Sequence, residues 1–296
     1  MTGLRIGVQY TPAPDAPVGD VVRAAAEIEA MGFCCFCLPD HVSRPLQGHD
    51  VPVAEPIAML ARIAADTRTI GLGTMTLLDA LRPAVQTVRC AATLQYITAG
   101  RYELGIGAGW QQRDFATLPP GAFTAENRVN AVDTTARLLR DTWPAADGGF
   151  VRGRRGAPAF ATDVPAPALI IAAGSRRMLE LAARWADTLA LTVPTRQRLA
   201  GVTPTAASVA DQIATARAAR PGGLAPLGVH LQIRSLTPKR APASGDDWWS
   251  IGGSPARIAH ALHDRAAAGV TYLSVCTEDL RLLEFFASRV LPLCEG

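Results

Sequence analysis

Lysine is almost missing from this chain: Lys239 is the only one among 296 residues. The basic charge is carried by arginine, and the arginines are scattered rather than gathered on one element. Nucleic-acid binders concentrate basic residues on one face or helix, so that class is excluded, in keeping with a formal net charge of only +3. Histidine is scarce too, with five residues. No segment joins His and Cys at metal-ligand spacing, so no metal site is expected. Long apolar runs are also lacking. Nothing approaches the roughly 18 to 20 apolar residues that a membrane helix needs. The first six residues lead straight into a strand-like run without the layout of a signal peptide, so the expected location is the cytoplasm. There is no internal repeat, long linker or low-complexity tail, and residues 1–296 are expected to form one domain.

Six cysteines are present, three of them close together at Cys34, Cys35 and Cys37. They sit in the apolar run 33–38. Successive side chains of a strand face opposite ways, so Cys34 and Cys35 diverge. These thiols are read as buried, small apolar side chains.

What is present is material for a large core: 49% of the residues are hydrophobic and 19% are charged. Short β-branched runs alternate with longer amphipathic segments. The pattern predicts strands at 5–10, 33–38, 69–76, 102–107, 168–173, 187–192, 227–233 and 271–276. Helices are expected at 18–31, 54–67, 83–97, 126–143, 175–185, 206–219, 255–268 and 279–290. Residues 147–164 read as an irregular insertion. Eight strand–helix units in strict alternation are expected to close into a single (β/α)8 TIM barrel, an α/β fold. An open doubly wound sheet is the other arrangement compatible with the alternation.

Barrel enzymes place their chemistry at the C-terminal ends of the strands, which directs attention to the strand exits. The second strand ends in Pro39-Asp40-His41. His41 can exchange a proton near neutral pH, and Asp40 can orient it or bond a ligand; a polar pair capping the barrel rim fits equally. The third ends in Gly73-Thr74-Met75-Thr76, small enough to admit a planar ligand or to form a bulge. The fourth runs through Gly105, Gly107, Ala108, Gly109 and Trp110. It lacks a full dinucleotide glycine pattern and is read as backbone approached closely by a ligand, with tight barrel packing as the competing reading. The fifth ends in Ala173-Gly174-Ser175-Arg176-Arg177 before a helix. Free helix amides and arginines suit an anion there; an ordinary Ser cap with exposed arginines is the competing reading. Trp110, Trp248 and Trp249 are candidate substrate-wall residues.

The stretch 82–110, RPAVQTVRCAATLQYITAGRYELGIGAGW, together with Asp40-His41, Gly73 to Thr76 and Ala172-Ala173-Gly174, resembles the luciferase-like oxidoreductases that depend on flavin or deazaflavin (F420). The resemblance implies a barrel of the bacterial luciferase-like type with the cofactor ring in its C-terminal mouth. It implies His41 and Asp40 as catalytic residues, His41 moving a proton. Gly73, Thr74, Met75, Gly107, Ala108, Gly109, Trp110, Ala173, Gly174, Ser175 and Arg176 are then implied as cofactor contacts. It further implies a non-proline cis peptide between Gly73 and Thr76, and a family carboxylate at Asp114. Three features depart from the pattern: Gln95 stands where the family has Asp, Thr98-Ala99 stand where it often has Ser-Gly, and the segment 234–253 is shorter than the insertion many relatives carry. The expected activity is F420-dependent hydride transfer to or from a small organic substrate. The alternatives are an FMN-dependent monooxygenase served by a flavin reductase, and a paralogue without redox cofactor that binds a small molecule or catalyses a cofactor-free step. A homodimer is expected, with no membrane partner.

Overall fold

The computed structural model describes residues 3–116, 123–143, 164–238 and 246–294. Apart from Val164, the expected insertion 147–164 lies outside the described residues.

Eight parallel strands close into a barrel. They are β1 (Arg5–Gln9), β2 (Cys35–Leu38), β3 (Gly71–Thr74), β4 (Tyr102–Gly107), β5 (Ala168–Ala173), β6 (Thr188–Leu191), β7 (Gly228–Ile233) and β8 (Tyr272–Cys276). β1 pairs with β8 from Arg5↔Tyr272 to Gln9↔Cys276, and β3 joins β4 at Leu72↔Tyr102 and Gly73↔Glu103. The open-sheet arrangement is thereby excluded. Around the barrel lie helices α1 (Val18–Ala30), α2 (Pro56–Ala64), α3 (Ala84–Ile97), α4 (Ala125–Thr142), α5 (Arg176–Trp185), α6 (Thr195–Leu199), α7 (Ala206–Ala218), α8 (Pro255–Ala267) and α9 (Leu280–Arg289). No described helix is long and apolar enough to cross a membrane.

The strand period of two decides what lies inside. On β1, Ile6 and Val8 join the large core packed under the helices. Arg5, Gly7 and Gln9 have the opposite parity. Arg5 pairs with Glu103 of β4 and lies over the Tyr272 ring, 4.5 Å from its centre, at the N-terminal end of the barrel. Gly7 is glycine for a reason of space: a Cβ there would lie 2.9 Å from the Cys35 carbonyl oxygen. Cys35 and Cys37 share a second apolar cluster with Met75, Ile170, Ala190 and Tyr272. Both thiols are fully buried, and the hydrogen bond with Cys37, followed by burial, raises the Cys35 pKa well above its usual value. No group of metal ligands occurs among the described residues.

Local chemistry sets the element ends. Gly32 takes a positive φ of 85° just past α1. Glu55 caps α2 by accepting the Ala58 N–H at 2.8 Å, so the helix starts two residues later than expected from the pattern. Ser254 caps α8 by accepting the Arg257 N–H. Gln95 accepts the Tyr102 N–H at 3.0 Å and donates to the Pro165 carbonyl at 2.8 Å. A carboxylate can only accept, so the amide makes a bridge that Asp cannot.

Three features were not expected. The loop after β2 contains an antiparallel hairpin, Ser43–Leu46 with His49–Pro52, turning through Gln47 and Gly48, both with positive φ. The short helix α6 follows β6. The segment after β7 forms a parallel pair, Ser235–Pro238 with Ser250–Gly253, and it buries Trp249 beside the barrel mouth.

Candidate active site

A cavity of about 350 Å³ lies at the C-terminal mouth of the barrel. That size suits a small-molecule site, for which about 300–1,000 Å³ is usual. Its walls come from the C-terminal ends and exits of β1 to β7.

One wall carries His41. Its Nδ1 lies 3.0 Å from Oδ2 of Asp114, a carboxylate with no exposed surface. Asp114 Oδ1 accepts the Val42 N–H at 3.1 Å. Because Asp114 offers only acceptors, the Nδ1 side of His41 is the donor, and Nε2 keeps its lone pair in the neutral ring. Nε2 has no protein partner among the described residues. The arrangement is that of an oriented proton acceptor, or of a donor once protonated.

Asp40 also lines the cavity, but its oxygens are engaged. Oδ2 accepts the Leu78 N–H at 2.9 Å and Arg82 Nη1 at 2.5 Å, while Oδ1 accepts Arg82 Nη2 at 3.2 Å. Asp114 rather than Asp40 therefore holds His41. Arg82 continues to Glu55 at 2.8 Å.

The glycines of β4 serve mainly the chain itself. The peptide bond Met75–Thr76 is cis, within the expected span 73–76. The chain around it crosses directly over β4. A Cβ on Gly105 would lie 1.9 Å from the Thr74 carbonyl oxygen, and one on Gly107 would lie 2.7 Å from Thr76 Oγ1. Gly109 has φ +73°, and a Cβ there would enter the Phe115 ring. Close approach of chain to chain, more than of ligand to chain, thus explains the spacing of these glycines. Gly107, Ala108, Gly109 and Trp110 nevertheless line the cavity, as do Met75, Gly174 and Ser175.

Four residues expected at the cofactor lie off the lining. Gly73 packs against Cys37 and Glu103, and Ala173 is buried in the main core. Thr74 is buried, its hydroxyl bonded to the carbonyl and N–H of Gly105. Arg176 points away on the exposed face of α5 and pairs with Glu180 at 3.0 Å. Neither Trp248 nor Trp249 fills the cavity.

The strand exits singled out from the sequence did not include those of β6 and β7, and the cavity uses both. Arg198 of α6 and Arg234 after β7 stand on the wall, with Gln9 of β1 and Gln232 of β7 beneath them. Gln232 donates to Gln9 and accepts two N–H groups of Arg234, at 3.0 and 2.6 Å. The guanidinium of Arg198 stacks 4.0 Å over the Trp110 ring, and that of Arg234 4.1 Å over Trp249. Enclosure by protein lowers the Arg198 pKa to about 9, with Arg234 adding repulsion. On another wall Arg128 donates to the Gly109 carbonyl at 3.3 Å, and its buried Nε has no partner among the described residues. His230 closes the floor: Nε2 meets Ser274 at 2.9 Å, Nδ1 has no partner among the described residues, and burial, with Arg5 adding to it, depresses its pKa to about 3. It is a neutral ring. Strand parity was the signal for Gln9, His230 and Gln232, since they alternate with the core residues of their strands; Arg198 sits on a helix too short to show periodicity.

This barrel has counterparts. The family model for luciferase-like monooxygenases matches residues 2–233. This chain belongs to the luciferase-like monooxygenase family. Among sequence relatives, a phthiodiolone/phenolphthiodiolone dimycocerosates ketoreductase of Mycobacterium sp. (strain JLS) is 28% identical over 216 residues, covering 63% of this chain and 55% of the relative. The pyrimidine monooxygenase RutA of Methylobacterium radiotolerans is 32% identical over 142 residues, covering 45% and 36%. The chain thus spans about half or less of these relatives' lengths. Among solved structures, an F420-dependent secondary alcohol dehydrogenase with an F420–acetone adduct superposes with a TM-score of 0.76 at 14% identity over all of both chains. A riboflavin lyase, RcaE, with modified FMN and riboflavin superposes at 0.72 and 15% identity, covering 99% and 92%. At such identities the likeness is one of fold.

Proposed function

We propose that this protein is an F420-dependent oxidoreductase acting on a small organic substrate, with an alcohol–carbonyl pair as the substrate class. The observation that carries this reading is the His41–Asp114 pair, set in the wall of a cavity at the mouth of a luciferase-like barrel. Interconverting an alcohol and a carbonyl needs a hydride at carbon and a proton at oxygen. Bound in the cavity, the deazaflavin would supply the hydride exchange. His41 Nε2 takes the proton from the substrate oxygen or returns it, and Asp114 fixes the tautomer and steadies the charged ring.

The residues present fit such a cofactor. Met75, Leu78, Ala108 and Val129 give apolar surface for a planar ring. The Arg128 guanidinium on the cavity wall, with Ser175 at the start of α5, offers donors for its phosphate. The names of relatives support the reading: one is a ketoreductase and one an F420-dependent alcohol dehydrogenase. The FMN-dependent monooxygenase, with a reductase as partner, draws support from RutA. The cofactor-free paralogue would gain from a cavity blocked by Trp248, Trp249 or Arg176, and none of these lines it. We further propose one barrel domain and a homodimer, for which Val85, Tyr96 and Ile97 leave apolar surface exposed on α3.

The test is titration with F420 and with FMN, followed by ring fluorescence and calorimetry. Micromolar affinity for F420 alone supports the proposal. Binding of FMN alone moves the chain to the monooxygenases, and binding of neither by folded protein rejects redox function.

A further inference from the structure

Arg198 and Arg234 have a feature that the proton chemistry does not use. Most arginines near the barrel mouth are matched. Arg82 has Asp40 and Glu55, and Arg113 has Asp50. Arg265 is buried but donates to the carbonyls of Trp248, Ser250 and Ala261. Arg198 and Arg234 have no carboxylate partner among the described residues. A guanidinium has five N–H groups. Arg198 spends one, on Thr192 Oγ1 at 3.2 Å. Arg234 spends two, both on Gln232 Oε1. The others have no protein acceptor among the described residues, and both side chains line the cavity.

The two cations are held close together. Trp249 touches both, its ring centre 5.6 Å from the Arg198 guanidinium carbon and 4.1 Å from that of Arg234. Trp110 covers the first from another side. Stacking of this kind fixes the planes of the guanidiniums and leaves their edges free. Free guanidinium edges are suited to paired oxygen atoms, as in a carboxylate or phosphate. Two like charges kept side by side without a counter-ion cost stability, and an anionic ligand removes that cost. The pair stands at the exits of β6 and β7, while His41 stands at the exit of β2 across the barrel, and the apolar walls lie between.

We propose that Arg198 and Arg234 form a subsite for an oxyanion carried by the substrate, so that the substrate is an organic carboxylate or phosphate ester. The inference rests on the oxidoreductase reading for the word substrate, but the anion site itself is testable without it. Trp110 packs against the Arg198 guanidinium and Trp249 against that of Arg234, and Gln232, bonded to Gln9, accepts from Arg234.

The test is titration with sodium benzoate and with phenyl phosphate, using benzamide as the neutral control. Tryptophan fluorescence and heat are followed with and without F420. At least one anion is expected to bind saturably where benzamide does not, and the two anions tell carboxylate from phosphate preference. Arg198→Met and Arg234→Met are each expected to weaken that binding about tenfold or more. Their affinity for F420 is expected to stay within about twofold, and Arg198→Lys to retain anion binding. Melting curves check the fold; should Arg198→Met not fold, the solvent-accessible Arg234→Gln carries the comparison. Anions binding no better than benzamide, or binding that survives both substitutions, overturns the proposal. So does competition between anion and F420 with loss of F420 affinity in the variants, which assigns the arginines to the cofactor's phosphate. If neither F420 nor FMN binds but the arginine-dependent anion site persists, the redox reading fails and the subsite stands.

Discussion

Arg82 grips both carboxylate oxygens of Asp40 from 42 residues away, although Asp40 stands on the wall of the cavity at the barrel mouth. The pair ties the exit of β2 to the segment before α3, and the Leu78 N–H adds a third bond. Asp40 is only 5% exposed, so removing its charge leaves Arg82 with Glu55 alone. Asp40→Asn is expected to lower stability by about 1–3 kcal/mol in urea denaturation. Unchanged stability would show that the pair is idle and that the carboxylate is free for ligand chemistry.

Asp114 is expected to act on His41 through its tautomer. In the native protein the proton belongs on Nδ1, facing Asp114 Oδ2. Asp114→Asn replaces a pure acceptor by an amide that also donates. Nitrogen-15 chemical shifts of His41 should then move from the Nδ1–H pattern toward a mixture. Turnover should fall about 10²–10⁴-fold for His41→Ala at nearly constant KM. A native ring already protonated at Nε2 would sink this assignment.

Asp79 makes stability depend on pH. It is fully buried before α3, and burial raises its pKa to about 6 from 3.8, against the hydrogen bond from Thr87. The unfolded chain releases this proton near pH 4 and the folded chain near pH 6. Stability from this group is therefore complete below about pH 4 and is lost as pH rises through 6. The loss is on the order of 3 kcal/mol. Asp79→Asn should remove that fall between pH 4 and 6, as read from melting midpoints. A persisting fall of the same size would place its origin elsewhere.

Gly105 leaves no room for a side chain. Gly105→Ala sets a methyl group against the Thr74 carbonyl, so the crossing segment must move. The melting temperature should drop sharply, or soluble protein should be lost. Gly222→Ala, with nothing within 4 Å, should be close to neutral. Equal behaviour of the two variants would refute the crossing as a close contact.

The barrel itself was legible because its signal is periodic. Ile6 and Val8, or Leu169 and Ile171, alternate with residues of the other face, and at least one helix follows each strand. His41 was legible by position at a strand exit, and Asp114 only through the family resemblance. The role of Asp40 was less so, since Arg82 reaches it from 42 residues away and no local pattern marks that encounter. The β4 glycines were visible as a motif, but their partner, the Thr74–Thr76 crossing, exists only in three dimensions. The hairpin at Ser43–Leu46 hid in a polar stretch because its strands are exposed and carry no buried face. Arg198 and Arg234 gave no motif, being single residues on elements brought together by barrel closure.

His41 and Asp114 both come from the first 115 residues, whereas Arg198 and Arg234 lie beyond residue 190. The two walls share a cavity but almost no local chain. A lineage descended from this protein can therefore alter the later wall while inheriting the His41–Asp114 pair intact, and on the proposed roles that changes the molecule admitted without touching the proton chemistry. Recombination that exchanged everything after β5 would be a direct way to make such a change.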